Sequence, residues 1–168
     1  LGFVGRRAAI PRIKKHPLKR ALRCSKITLA ALEATLRVYA SGHRLEERLP
    51  VRALLTRPEA DIRAACERVL PAFARFSGHA FTVRIAACAS QIGSGSLPVE
   101  RLPSAALVAA PAAAKGAGRA LGALAARLRE LPTPVIGRVS EGALWLDLRC
   151  LRPQEERVLL AVLAEASP

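Results

Sequence analysis

The chain has 168 residues, with 27 Lys and Arg against 13 Asp and Glu, a formal charge of +14. That length suits one ordinary domain, or a small domain with an added piece. The charge points to a polyanionic partner met through phosphate neutralisation and steering rather than base reading. Twenty-two of the 27 cations are arginine and alanine is abundant, as a GC-rich coding sequence would also produce, so basicity alone leaves nucleic-acid binding open. No apolar run approaches the roughly 18 to 20 residues that span a bilayer, and no secretory signal is present, so a soluble cytoplasmic protein is expected. Cys24, Cys66, Cys88 and Cys150 form no CxxC or Cys/His set. They read as buried small hydrophobes in a reducing compartment, with no metal site.

The chain starts in mid-pattern, with Leu1 to Val4 as the end of a strand, and contains no methionine. It is therefore expected to be the C-terminal part of a longer protein. Arg6 to Lys15 has weak helical character, and Pro11 within it fits only a first turn. Next comes KKHPLKRALR, Lys14 to Arg23. Lys14, Lys15, Lys19, Arg20, Arg23 and Lys26 crowd together, and no acid precedes Glu33. Ser25 is a good N-cap for a helix from Lys26 to about Ala40, closed by Ser41 and Gly42. Leu29, Leu32, Leu36 and Tyr39 share one face of it, and Glu33 and Arg37 form an i,i+4 pair off that face. Unpaired N–H groups at the start of this helix, with Arg20 and Arg23 just ahead, could meet a phosphate-like anion. The plain alternative is a solvated basic loop.

Around Glu46 to Leu55 the pattern is short and broken by Pro50, predicting a connection with a short extended piece. A helix follows, opened by Pro58, Glu59 and Asp61, with Ile62, Cys66, Val69, Phe73 and Phe76 as its buried stripe and a bend expected at Pro71. Gly78 closes it. Alternation over Ala80 to Ala87 predicts a strand with Phe81, Val83 and Ile85 on one face. Gln91 to Ser96, QIGSGS, has no phosphate-loop spacing and reads as a tight loop. Leu97 to Pro103 should be irregular, and Ala105 to Ala110 a short buried strand. A helix with a Leu121, Leu124, Leu128 and Leu131 stripe is stopped by Pro132 and Pro134. Strands Val135 to Val139 and Ala143 to Leu148 turn at Glu141 and Gly142, with Leu144, Leu146 and Leu148 opposite Trp145 and Asp147. Pro153 begins a last helix with Val158, Leu159, Val162 and Leu163 inward. Arg84 and Arg149 are expected on the strand surface. The fold class is α/β, a mainly antiparallel sheet with helices on one face.

KKHPLKRALR followed by ITLAALEATLRVY resembles the same region of bacterial L-seryl-tRNA(Sec) selenium transferases, the selenocysteine synthases. Further similar blocks are LPVRALLTRPEADI (Leu49 to Ile62), ASQIGSGSLPVERLPSAAL (Ala89 to Leu107) and PVIGRVSEGALWLDLRCL (Pro134 to Leu151). The resemblance implies the C-terminal part of a fold-type I pyridoxal 5′-phosphate enzyme of the aspartate aminotransferase type. Residues 1–25 would end the large cofactor-binding domain, 26–48 would be the interdomain helix and connection, and 49–168 the small α/β domain. The implied reaction turns seryl-tRNA(Sec) into selenocysteinyl-tRNA(Sec), using selenophosphate and an aminoacrylyl intermediate on the cofactor. The resemblance implies a Schiff-base lysine a short way upstream of Leu1; none of Lys14, Lys15, Lys19, Lys26 or Lys115 matches it, and the chain alone should be inactive. Arg20 and Arg23 match the family arginines that bind the selenophosphate-like anion. Lys19, His16 and Arg138 are further candidates for the substrate site. The family assembles as a ring of dimers. Two rival readings are another fold-type I pyridoxal-phosphate lyase or transferase, and a non-catalytic tRNA-binding or assembly module.

Overall fold

The computed structural model describes residues 5–91 and 101–166. The chain divides into two compact units, Leu1–Leu49 and Pro50–Pro168.

The first unit opens with α1 (Ala9–Lys15), in whose first turn Pro11 costs no intrahelical hydrogen bond. A 3₁₀ turn over Pro17–Arg20 follows. Helix α2 (Lys26–Ser41) begins where Ser25 Oγ accepts the Thr28 N–H at 3.1 Å, and ends at Gly42 in the left-handed region, φ 63°. Its Arg37 pairs with Glu33 at 2.7 Å. After Arg44, also left-handed, comes a single helical turn, α3 (Leu45–Arg48).

The second unit starts with α4 (Pro50–Thr56). Together α3 and α4 replace the extended connection expected over Glu46 to Leu55: Pro50 is the first residue of a helix, where its missing N–H is harmless. Helix α5 (Glu59–Ser77) buries Ile62, Cys66, Val69, Phe73 and Phe76 as the spacing predicts, and accommodates Pro71 without ending.

Four antiparallel strands, β1 (Phe81–Gln91), β2 (Arg101–Pro111), β3 (Arg138–Ser140) and β4 (Ala143–Asp147), lie in the order β1-β2-β4-β3. β2 starts four residues earlier than expected, because Arg101 to Pro103 continue the ladder opposite Gln91 to Ala89. Pro103 cannot donate to that ladder, and its carbonyl is taken by Arg149 instead. The predicted strand from Val135 shrinks to three residues. The Val135 N–H instead closes α6 (Ala117–Arg129) by donating to Leu128 O at 2.9 Å. Gly137 then passes close to β4: a Cβ there would lie 3.0 Å from Trp145 O and 2.8 Å from Leu146 Cδ2. The β3–β4 turn has φ 53° at Glu141 and φ 70° at Gly142, as a two-residue primed hairpin turn requires.

The core gathers Ala105, Leu107 and Ala109 of β2, Leu144 and Leu146 of β4, the α5 stripe, Leu121, Leu124 and Leu128 of α6, and Leu159, Val162 and Leu163 of α7 (Pro153–Glu165). Helices therefore cover one face of the sheet. Val158, expected inward, is exposed; the fourth inward residue of α7 is Glu156. Of the cysteines only Cys66 is buried, while Cys24 and Cys88 are half-buried and Cys150 exposed, so the all-buried expectation holds for one of four. Residues 92–96 of the QIGSGS segment lie outside the described residues. No described helix is long and apolar enough to cross a membrane.

Candidate functional site

The basic stretch is folded by a run of i→i+3 hydrogen bonds. Beyond the Pro17–Arg20 turn, the N–H groups of Ala21, Leu22 and Arg23 donate to Leu18, Lys19 and Arg20 carbonyls at 3.0, 3.2 and 3.3 Å. With three residues per turn, side chains three apart stand one above the other. Arg20 and Arg23 thus form one column and Lys19 and Leu22 the next, with His16, in extended backbone, as the cap of the turn. His16 Nδ1 accepts the Leu18 N–H at 3.2 Å and so pins the start of the turn. That ring nitrogen is then committed to the backbone, which leaves Nε2 to face a ligand.

Both columns and His16 line one pocket of about 930 Å³, together with Ile10, Ile13, Lys14 and the entry to α2 at Cys24 and Leu29. None of its lining residues is acidic, and Lys19, Arg20 and Arg23 are exposed and make no ion pair with a described residue. Two guanidinium forks lining one open, acid-free pocket suit an anion with several oxygens. The structure thus places four of the five predicted site residues around one space.

Arg138, the fifth, belongs to the second unit. It stands on β3 opposite Trp145 of β4, its guanidinium 5.8 Å from the indole centroid. Arg149, expected on the surface, is buried: its guanidinium donates to the carbonyls of Leu54, Leu55, Arg57 and Pro103 and to Ser90 Oγ. The 3₁₀ turn Leu148–Cys150 swings it off the strand alternation, so period-two reading misplaces it. The one advance signal is Asp147, whose carboxylate accepts the Arg149 N–H at 3.0 Å and caps that turn. Ser90 and Ser104 hydroxyls donate to the same carboxylate at 2.5 and 2.7 Å.

Comparison with known proteins decides the family. The model of the L-seryl-tRNA selenium transferase family matches residues 2–152. The chain belongs to the L-seryl-tRNA selenium transferase family. An L-seryl-tRNA(Sec) selenium transferase of Klebsiella pneumoniae (strain 342) is 60% identical over 152 residues, 90% of this chain and 32% of that protein. One from Serratia proteamaculans (strain 568) is 55% identical over 163 residues, 96% of this chain and 34% of the relative. One from Salmonella paratyphi B is 54% identical over 152 residues. The chain thus spans about a third of the length of the selenium transferases it matches.

Pyridoxal phosphate, the cofactor that the resemblance to this transferase family implies, finds no complete site among the described residues. The pocket of the first unit has cations for a phosphate, but no carboxylate to face a pyridinium nitrogen and no aromatic ring to lie against one. The described residues offer a cluster of cations around one pocket, not a complete cofactor site.

Proposed function

We propose that this chain supplies the anion-binding loop and small domain of a selenium transferase that converts seryl-tRNA(Sec) to selenocysteinyl-tRNA(Sec). The anion is selenophosphate, and pyridoxal 5′-phosphate is held by other parts of the complete, fold-type I enzyme. In this reading residues 1–25 end the cofactor domain, 26–48 connect the domains, and 49–168 form the small domain. The complete protein works in the cytoplasm as a homo-oligomer, a ring of dimers as the resemblance implies. The observation that carries the reading is the 3₁₀ run that, with its His16 cap, sets Lys19, Arg20 and Arg23 around one acid-free pocket. Selenophosphate carries its charge on oxygens spaced to accept from forked guanidiniums, and each fork adds a charge-assisted pair of hydrogen bonds. Lys19 adds a mobile point charge, and Arg138 is assigned to the tRNA side of the substrate.

The test is Arg20→Ala and Arg23→Ala in the complete enzyme. Losing one charge-assisted contact should raise KM for selenophosphate by about 10- to 100-fold, while cofactor absorbance stays the same. Arg→Lys at either position should restore little, because an ammonium cannot reproduce the fork. Unchanged selenophosphate kinetics in both alanine variants would overturn the assignment.

A further inference from the structure

The face of the sheet that carries no helix has an ordered row of side chains across all four strands. Arg84 of β1 pairs with Val108 of β2, Val108 with Trp145 of β4, and Trp145 with Arg138 of β3. Directly opposed residues share a face, so an indole lies in this row with an arginine toward each edge of the sheet. At about 4.8 Å per strand the two arginine positions are roughly 14 Å apart.

Three features mark the row as a receptor rather than ordinary surface. The Trp145 indole N–H is already used, donating to Ser140 O at 3.1 Å, so what the residue presents is its apolar ring. Arg84 and Arg138 are exposed and neither has an ion-pair partner among the described residues. Arg138 stands over the ring at 5.8 Å, the loose outer part of the cation–π range, where a planar group can replace or extend the contact. The neighbouring acid, Asp147, does not compete for these cations. Its carboxylate is occupied by the Ser90 and Ser104 hydroxyls and the Arg149 N–H. Beside the row a pocket of about 520 Å³ opens, with Arg101, Ile136, Arg138 and Trp145 in its lining, so a third cation and an apolar contact are at hand.

A half-exposed indole in one row with two exposed arginines, across a Val108 that is itself buried, is suited to unstacked bases joined by phosphates, as in single-stranded nucleic acid. We propose that this face binds a single-stranded stretch of RNA, one base stacked on Trp145 and the flanking phosphates held by Arg138 and Arg84. A duplex keeps its bases inside and cannot use the indole. The choice of RNA rests on the function proposed above, in which the substrate is an aminoacylated RNA.

Trp145 is the only tryptophan of the 168-residue chain, so its emission reports on this face alone. A short single-stranded RNA should quench it saturably at low salt, whereas the same sequence as a duplex, or inorganic phosphate, should not. Arg138→Ala and Arg84→Ala, both at exposed positions, should weaken the quenching about tenfold each, with the circular dichroism spectrum unchanged as the check on folding. Arg20→Ala with Arg23→Ala should leave it as it was. No saturable quenching, or quenching indifferent to both Arg84 and Arg138, overturns the proposal. Either result in a chain whose complete enzyme still uses selenophosphate removes this site and leaves the proposed function standing. Normal quenching beside a complete enzyme indifferent to selenophosphate does the reverse.

Discussion

Arg149 shows how much one side chain can organise. Its Nη1 donates to Leu54 O at 3.0 Å, Leu55 O at 3.3 Å and Arg57 O at 3.1 Å, and its Nε to Ser90 Oγ at 3.1 Å. Arg57 answers by donating to the carbonyls of Leu148, Arg149 and Leu151 at 3.0, 3.3 and 2.6 Å. Two arginines thus stitch the end of α4 and the residues just after it to the segment between β4 and α7. A buried acceptor left unsatisfied costs about 1 to 3 kcal/mol. Arg149→Ala should therefore destabilise the chain by about 3 kcal/mol or more. Urea unfolding will show this as a lowered midpoint with little change in slope, and Arg149→Lys should recover less than half, since a point charge cannot reach four acceptors. Cys66 is the opposite kind of buried polar group. Burial pushes its thiol up to about 11, with smaller contributions from Cys88 and Asp147, so it packs as a neutral hydrophobe.

At the scale of elements, α7 is held to α5 by one ion pair as well as by its apolar face. Both carboxylate oxygens of Glu156 accept from Arg68, at 2.6 and 2.8 Å, and the glutamate side chain is 12% exposed. Arg68 lowers the Glu156 pKa, and burial opposes this only in part. A carboxylate with a depressed folded-state pKa gives stability that is present above the unfolded value and lost as pH falls through the folded one. The α5–α7 contact should accordingly weaken on acidification below the ordinary glutamate range. In Glu156→Gln that acid-sensitive part of the stability should vanish, leaving a flatter dependence of thermal midpoint on pH between about 5 and 3. A midpoint curve unchanged from the parent chain would show that the pair contributes nothing. Helix α6 is tied differently: Arg127 donates to Phe76 O at 3.0 Å and lies 4.5 Å over the Phe76 ring, which joins the ends of α5 and α6.

For the molecule as a whole, burial is distributed unequally. Among the described residues, every fully buried one belongs to the second unit and none of the first unit is buried. Leu29, Leu32, Leu36 and Tyr39 share one face of α2, and each is about half exposed. An isolated helix of this length is marginal in water, and its ends are held here by Ser25 and Gly42 rather than by packing. Hydrogen exchange on the 168-residue chain should find α2 amides protected only weakly. Amides of α5 and β2 should open only with global unfolding. Equal protection of α2 and α5 would show that the first unit has support beyond its own contacts.

The amino-acid sequence by itself determined whatever depends on neighbours close along the chain. The caps at Ser25 and Gly42, the stripes of α5 and α6, the hairpin turn at Glu141 and Gly142, and the antiparallel α/β class were all legible, because capping and periodicity are local. So was the crowding of Arg20, Arg23, Lys19 and His16, though not the 3₁₀ run that, with its His16 cap, sets them around one pocket. Tertiary structure decided the rest. The start of β2 is a strand because β1 pairs with Arg101 to Pro103, and α7 turns Glu156 inward because Arg68 waits on α5. Arg149 is buried because four carbonyls from distant segments converge on it. Register alone sets Arg84, Trp145 and Arg138 in one row, since pairing between strands far apart in sequence leaves no periodic trace in any one of them.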